Sequence, residues 1–290
     1  MRVAYCVVCH RRSKILDEMI DILGKDNDIY IHVDKKSNIN DFIDLSDRVK
    51  LIKERVNVQW AGFTLVKATL NLLSNVKDNN YDYIFLISGD CLPLKNSTEI
   101  KKFLKDNNGK EFIGVVKDED ITDQIEKRLK YNYSSIYFKK NKNVLENNII
   151  AFKNKYKLYS KNKYYNTLPK IYKGCNWIGI TGSFCSYIFK YINDNPQYIK
   201  AFKKAIYSDE EFFQTIIMNS DYKNNIYKYD ITENDSNMAL RYIDWKTGPQ
   251  YPRVLNENDF DKIKNSNCLF ARKFDENIDF EKYRIIFINN

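Results

Sequence analysis

The stretch YIFLISGDC at residues 83–91 joins a strongly apolar run to an abrupt polar end. Similar apolar runs lie at residues 3–8 and 28–33, as expected for strands that are buried on both faces of a parallel sheet. Residues 15–23 and 63–76 repeat their apolar side chains at helical spacing. This alternation predicts an α/β fold with a central, mostly parallel sheet flanked by helices.

Polar side chains follow these three predicted strands. His10 follows the first strand, Asp34 follows the second, and Ser88 begins the polar end of the third. Ligands of open α/β sheets bind beyond the carboxyl ends of the strands. We therefore expect His10, Asp34 and Ser88 to face one crevice.

Weaker strand patterns lie at residues 49–52, 112–116 and 174–182. The chain has no internal repeat and no linker rich in Gly, Ser or Pro. A chain of this length buries roughly three quarters of the surface that its unfolded form exposes. The sequence therefore predicts a single domain over residues 1–290.

A helix is predicted to begin near Ser208. Ser208 is followed three residues later by Glu211, which is the spacing of a capping box. On this interpretation Glu211 caps the helix and is structural. The side chain of Asp209 or Glu210 is then not needed for the cap and can point away from the helix start. Acidic residues in a first helical turn commonly do no more than favour the helix dipole.

The composition excludes a disordered chain, because 43% of the 290 residues are hydrophobic. The formal net charge of +9 indicates either the codon bias of an AT-rich gene or an anionic partner such as nucleic acid, lipid or polyphosphate. No apolar run approaches the roughly 18 to 20 residues that cross a bilayer. We expect a cytoplasmic protein, at most peripheral on the inner face of the cell membrane.

The segment 139–173 differs from the rest of the chain, with ten lysines, one glutamate and many Tyr and Asn residues. One interpretation is a solvated helical insertion. The other is a basic, aromatic surface that contacts an anionic membrane or a lipid-linked acceptor.

Several chemical motifs are weak or absent. Cys6-Val7-Val8-Cys9-His10 matches a haem-attachment or dithiol pattern, but these cysteines lie inside an apolar strand and the chain's thiols are expected to be reduced. Asp118 and Asp120 follow the predicted strand 112–116, where they would suit Mg²⁺ or Mn²⁺ against a diphosphate. Glycine-rich phosphate loops and a serine nucleophile elbow are absent.

Seven segments of the chain carry a family resemblance: IHVDKKS (31–37), VQWAG (58–62), FLISGDCLPL (85–94), GCNW (174–177), EEFFQTIIMNS (210–220), LRYIDW (240–245) and FARKF (270–274). Together and in this order they resemble glycosyltransferase family 14, and the resemblance covers nearly the whole chain. That family contains the core-2/I-branching β-1,6-N-acetylglucosaminyltransferases and the peptide O-xylosyltransferases.

The resemblance implies a GT-A fold, with residues 1–120 as a nucleotide-binding half and residues 121–290 as an acceptor-binding and catalytic half. It implies an inverting sugar transfer from a UDP donor to a glycan hydroxyl, with no divalent metal and no other cofactor. Glu210 matches the catalytic base of the family. Such a carboxylate takes the proton of the acceptor hydroxyl as its oxygen attacks the anomeric carbon.

The resemblance also assigns the donor site. The diphosphate-binding cations of the family match Lys273 and Arg253, and its uridine-contacting aspartate matches Asp34. His10 is expected near the uracil, and Ser88 lies in a segment beside the donor. Fixed cations at the diphosphate would replace a metal ion, since they stabilise charge that develops as the bond to UDP breaks.

On the acceptor side, the resemblance implies roles for Trp245, Arg128 and Trp177. Cys91 and Cys175 depart from the family's usual Asp and Ser, close to the expected donor site. We expect UDP-N-acetylglucosamine as donor, with UDP-xylose or another UDP-sugar as the alternative. The acceptor would be a surface polysaccharide or a lipid-linked glycan, as for a bacterial polysaccharide enzyme, and nucleic acid would not be a partner. The alternative of a different class is a basic membrane- or nucleic-acid-binding protein that works through residues 139–173.

Overall fold

The computed structural model describes residues 1–45, 47, 49–117, 122–229 and 234–289. Its strands are β1 (Val3–Cys9), β2 (Asp28–Val33), β3 (Lys50–Leu51), β4 (Tyr83–Ser88), β5 (Leu92–Pro93), β6 (Phe112–Ile113), β7 (Tyr131–Asn132), β8 (Ser160–Lys161), β9 (Ile178–Thr181), β10 (Arg241–Ile243) and β11 (Phe270–Arg272). Its α-helices are α1 (Lys14–Leu23), α2 (Thr64–Val76), α3 (Ser97–Asp106), α4 (Thr122–Lys130), α5 (Val144–Lys155), α6 (Gly182–Asp194), α7 (Pro196–Phe202), α8 (Phe212–Met218), α9 (Asp235–Met238), α10 (Phe260–Lys264) and α11 (Phe280–Phe287).

The main sheet has the strand order β3-β2-β1-β4-β9-β6. β1 lies in its centre and pairs in parallel with β2 and β4, so that Val8 is opposite both His32 and Ser88. The three apolar runs therefore form neighbouring parallel strands, as predicted. The helices α1 and α2 also lie where the helical spacing predicts them.

Alternate side chains of β1 enter two hydrophobic cores, one on each face of the main sheet. Tyr5 and Val7 pack in the core that α1, α3, α10 and α11 cover. Ala4 and Cys6 pack in the core that α2, α6, α7 and α8 cover. Both faces are buried because helices flank the sheet on both sides, which explains the continuous apolar runs in its strands.

Two strands of the main sheet differ from the simple parallel pattern. The predicted strand 112–116 is reduced to the two residues of β6, and the glycine-punctuated region 174–182 contributes β9. β9 is antiparallel to both β4 and β6. Gly179 of β9 lies against the ring of Phe85, where a Cβ atom would come within 2.3 Å, so a side chain has no room there.

The predicted capping box at Ser208 is wrong. Residues Ser208–Glu210 form a single 3-10 turn, and α8 begins only at Phe212. The hydroxyl of Ser208 instead donates to the carbonyls of Phe202 and Ala205, at 3.3 and 3.2 Å, because the serine is fully buried behind the turn. The Ser208 side chain therefore does not cap α8.

A small second sheet, with the order β10-β11-β5, packs beside the main sheet. Arg241 connects the two sheets: it is fully buried, its Nη2 donates to the carbonyl of Leu86 at 3.0 Å, and its guanidinium lies 4.2 Å from the ring centroid of Phe270. Burial lowers the pKa of Arg241 to about 10. The sheets thus join residues from the two ends of the chain.

The segment 139–173 is only partly helical. It contains α5, none of whose residues is buried, and it ends in the irregular stretch before β9. Within the described ranges, every helix is too short or too polar to cross a membrane.

Candidate active site

A cavity of about 540 Å³ opens at the carboxyl ends of β1 and β4. A smaller hollow of about 340 Å³ adjoins it. The residues that line both are Asn176, Trp177, Asp209, Glu210, Trp245 and Arg272. The cavity therefore lies where the parallel strands predict a ligand, and it continues into a second binding space.

The ends of β1 and β4 meet in the cavity wall because the two strands are parallel neighbours. Cys9, His10, Ser88 and Gly89 line this side. A Cβ atom on Gly89 would come within 2.9 Å of the Cβ of Cys9, so only glycine allows the two strand ends to approach so closely. His10 and Ser88 thus share one wall, as expected for two of the three polar strand ends.

The third strand end is held differently. Asp34 is buried, and its carboxylate accepts hydrogen bonds from the backbone N–H and the ammonium of Lys36, both at 2.9 Å. Arg55 donates to the carbonyl of Asp34 at 2.7 Å. Asp34 is not among the described residues that line the cavity. Its contact with uridine stays a prediction.

Glu210 lies in the shared wall, with one third of its side chain exposed. Arg128 Nη1 lies 2.9 Å from Glu210 Oε2, and Lys173 Nζ lies 3.6 Å from the same oxygen. The 3-10 turn at residues 208–210 and α4 together bring these charges into contact. The carboxylate is therefore fixed at the wall by two cations.

Arg128 also forms an ion pair with a second carboxylate, which lies behind the cavity wall. Its Nη1 lies 3.3 Å from Oε1 of Glu211, which is fully buried. Burial raises the pKa of Glu211 well above its usual range. Burial alone would lower the pKa of Arg128, but the carboxylates of Glu211 and Glu210 outweigh it and raise that pKa. Arg128 does not itself line the cavity among the described residues.

Asp209 is a second carboxylate of the shared wall, which the sequence left as the alternative to Glu210 and to which it assigned no role. Its Oδ1 is buried without a hydrogen-bond partner among the described residues. Burial, followed by the charge of the neighbouring Glu210, raises the pKa of Asp209 to about 7. Asp209 therefore titrates near neutral pH beside the predicted catalytic base.

Of the two arginines among the described residues that line the cavity, Arg11 is already paired with two carboxylates, and the other is Arg272. Its guanidinium lies 4.7 Å from the ring centroid of Trp177, and its Nε is buried without a hydrogen-bond partner in the described part of the chain. Arg253 is held elsewhere, because its Nε donates to both oxygens of Asp259 at 3.1 and 3.2 Å. Arg253 and Lys273 are absent from the described lining residues.

All three tryptophans of the chain line the cavity: Trp60, Trp177 and Trp245. Trp60 packs edge-on against Tyr207, which also lines it. Trp177 and Trp245 were singled out from the sequence, whereas Trp60 was only part of a quoted motif. The cavity wall thus offers flat apolar surfaces of the kind that stack on sugar rings and bases.

The candidate metal ligands Asp118 and Asp120 lie outside the described residues. Within the described ranges, no three side chains of His, Cys, Asp or Glu come together as metal ligands. All six cysteines are free, and Cys6 and Cys9 are buried in β1.

The sheet order and the cavity at the strand ends define an α/β fold of the GT-A glycosyltransferase type. The sequence pattern of the family described as "Branch: Core-2/I-Branching enzyme" matches residues 3–264. The chain therefore belongs to the core-2/I-branching enzyme family, which confirms the resemblance.

Known relatives match a shorter part of the chain. Beta-glucuronosyltransferase GlcAT14B of Arabidopsis thaliana is 28% identical over 110 residues, which cover 37% of this chain and 24% of the plant protein. Xylosyltransferase 1 of Rattus norvegicus is 29% identical over 114 residues, which cover 36% of this chain and 14% of the rat protein. The matched stretch thus spans less than a quarter of either relative.

Proposed function

We propose that this protein is an inverting glycosyltransferase that moves a sugar from a UDP-sugar to a hydroxyl group of a glycan acceptor. One observation carries the proposal: Glu210 lies in the wall shared by the cavity and the adjoining hollow, so it faces two binding spaces. A transferase needs such an arrangement, because donor and acceptor must meet beside one general base. Membership of the core-2/I-branching enzyme family supports it.

In the proposed step, Glu210 accepts the proton of the acceptor hydroxyl while that oxygen bonds to the anomeric carbon. The bond from this carbon to the β-phosphate oxygen of UDP breaks at the same time, and attack from the opposite face inverts the configuration. Arg128 and Lys173 hold the carboxylate in position through their contacts of 2.9 and 3.6 Å. General-base catalysis of this kind contributes roughly 10²- to 10⁴-fold to a rate.

The charge that develops on the departing UDP needs a positive partner. Arg272 is suited to this role, since it lines the cavity with its guanidinium beside Trp177, and a guanidinium can bond two phosphate oxygens in parallel. Lys273 and Arg253, which match the family's diphosphate-binding cations, stay part of the proposal. With these cations the reaction would proceed without a divalent metal.

The donor is proposed to be UDP-N-acetylglucosamine, with UDP-xylose and UDP-glucuronic acid as the alternatives that the names of the relatives suggest. The acceptor would belong to a surface polysaccharide or glycoconjugate. We also propose that the protein works at the inner face of the cell membrane, which it would contact through residues 139–173. The donor would be identified by measuring the binding of each member of a panel of UDP-sugars through the change in fluorescence emission of the three cavity tryptophans.

Glu210→Gln tests the proposed base. The variant should bind UDP-sugar as the native protein does and lose about 10²- to 10⁴-fold in kcat, because an amide cannot accept the proton. Glu281→Gln, an exposed carboxylate in the first turn of α11, is the matched control and should retain full turnover. Near-native turnover of the Glu210 variant would show that Glu210 is not the general base and has only a structural role.

Chelation tests the absence of a metal requirement. Turnover should be the same in EDTA as in Mn²⁺, because the cations of the chain would supply the charge stabilisation. If EDTA abolished turnover and Mn²⁺ restored it, a metal-dependent reaction at Asp118 and Asp120 would replace this mechanism.

A further inference from the structure

We propose that α5 is a membrane-docking helix, which binds the surface of a bilayer rich in anionic headgroups and holds the cavity entrance beside it. This inference deepens the proposed function. Only one part of it, the use of a lipid-borne acceptor, rests on the proposed transferase activity. The docking itself follows from the contacts and charges of the segment 139–158.

The helix carries an uncovered apolar stripe. Leu145, Ile149, Phe152 and Tyr156 follow one another at intervals of four, three and four residues, so at about 100° per residue they project from one side. All four are exposed, Leu145 by 67% and Phe152 by 57%. The rings of Phe152 and Tyr156 pack together with their centroids 4.8 Å apart. A continuous exposed stripe of this kind marks an interaction surface.

Lysines border the stripe and select an anionic lipid surface as its occupant. Lys155 is exposed beside Phe152, where its stem can lie along the apolar surface with its charge in the headgroup layer, and the exposed Lys157 follows just after the helix. Six lysines and one glutamate lie in residues 139–158, and the glutamate, Glu146, is paired with Lys139. An apolar stripe with a strongly positive border is typical of helices that lie in a membrane interface.

The polar side of the helix anchors it in this orientation. Asn154, which projects opposite the stripe, accepts hydrogen bonds from the hydroxyls of Tyr137 and Tyr159, the first at 2.9 Å. Lys153 also donates to Ser134 at 3.4 Å. The two tyrosines pack with Tyr133 in one aromatic cluster under the helix. The stripe is therefore held away from the body of the protein.

The docking helix is close to the entrance of the cavity. The ammonium of Lys142, just before α5, lies 5.3 Å from the ring centroid of Trp60, which lines the cavity. A bilayer bound by the stripe would thus lie near the cavity that Trp60 lines. An acceptor carried on a lipid would reach Glu210 without leaving the membrane surface.

Vesicle binding tests the inference. The full chain should float with vesicles of phosphatidylcholine and phosphatidylglycerol and bind weakly to phosphatidylcholine alone. Leu145→Asn combined with Phe152→Asn should weaken this binding at least about tenfold, because two apolar side chains no longer enter the interface. The control pair, Ile43→Asn with Ile285→Asn, removes apolar side chains of similar exposure, 55% and 58%, from other elements and should bind as the native chain does.

A second variant separates charge from apolar contact. Lys155→Gln with Lys157→Gln should weaken binding to the anionic vesicles about fivefold for each lysine and leave the binding to neutral vesicles unchanged. All three double variants should unfold at the native temperature, since every substituted side chain is exposed.

The inference is overturned if the native chain does not bind anionic vesicles, or if the stripe variant binds as tightly as the native chain. It is also overturned if the stripe instead holds two copies together, which would appear as a dimer in solution that the stripe variant dissociates. These measurements need no sugar donor, so their failure is distinct from failure of the proposed transferase activity.

Discussion

Arg272 and Lys273 are neighbouring cations, and the direction of their side chains decides which of them can contact a ligand in the cavity. Successive side chains of a strand point to opposite faces, and Arg272 closes β11 with its guanidinium on Trp177 in the cavity wall. Lys273 follows the strand, and its carbonyl accepts a hydrogen bond from the backbone N–H of Leu255 at 2.8 Å. The cation in contact with the cavity is therefore one residue before the one that the family motif indicates.

Arg272→Met should weaken the binding of UDP-sugar at least about tenfold and lower kcat/KM about 10²-fold or more, since it removes the charge but keeps an apolar stem against Trp177. Lys273→Met is the matched control and should have the smaller effect. Titration of tryptophan emission measures the affinity, and initial rates measure kcat/KM. If Lys273→Met lost as much affinity and kcat/KM as Arg272→Met, or more, Lys273 would be the residue that binds the diphosphate.

Asp209 should make donor binding sensitive to pH. Because burial and Glu210 raise its pKa to about 7, Asp209 is mostly neutral below that pH and gains a negative charge above it. This charge repels a diphosphate, so the Kd of UDP-sugar should rise roughly fivefold between pH 6 and pH 8. Asp209→Asn should remove this rise. A native Kd that does not change over this range would contradict the assignment.

At the level of elements, the contact between α4 and the turn before α8 builds the site. Arg128 of α4 binds both Glu210, which faces the cavity, and Glu211, which is fully buried. A buried carboxylate without its cation is costly, because its charge has lost both water and its partner. The same arginine therefore positions the predicted base and stabilises the fold.

Arg128→Met should lower the free energy of unfolding by about 3 kcal/mol at pH 8. The loss should be smaller at pH 5. Arg128 lowers the pKa of Glu211, which burial raises, so the pKa should rise further in the variant. The variant's native state then holds the proton still more tightly than the unfolded state does, and its stability falls more steeply as pH rises above the ordinary range of a glutamate. Guanidinium unfolding at both pH values measures the difference.

Adding Glu211→Gln to the Arg128 variant should restore part of the stability at pH 8, since no buried charge then remains unpaired. Turnover should stay low in the double variant, because Glu210 has still lost its contact with Arg128. A double variant no more stable than Arg128→Met would show that the ion pair with Glu211 is not the source of the loss.

At the level of the whole molecule, the two halves of the chain share their sheets. β9, from the second half, lies between β4 and β6 of the first half, and β5 pairs with β11. Arg241 then joins the second sheet to β4 through the carbonyl of Leu86. Residues 1–120 alone would keep the pairing of β1 with β2 and β4, but β4 and β6 would lose β9, and β5 would lose β11.

A fragment of residues 1–120 should consequently fail to unfold cooperatively in guanidinium, whereas the whole chain should show one transition with the same midpoint by circular dichroism and by tryptophan emission. The tryptophans report on the cavity, and circular dichroism reports on all elements. A fragment with a sigmoidal transition of its own, or two separate midpoints for the whole chain, would contradict the single-domain prediction.

The sequence by itself determined the parallel core of the sheet, because β1, β2 and β4 are apolar on both faces and their runs are long enough to be recognised. It also determined the family and brought His10, Ser88, Glu210, Trp177 and Trp245 to attention, all of which line the cavity. The tertiary structure decided the rest. The short antiparallel strands, the failed cap at Ser208 and the direction of Arg272 depend on contacts between residues far apart in the chain, which no local pattern encodes. The buried charges of Glu211 and Arg241, and the contact of the partly buried Arg128 with two carboxylates, are invisible in the sequence for the same reason, since burial is a property of the packed molecule.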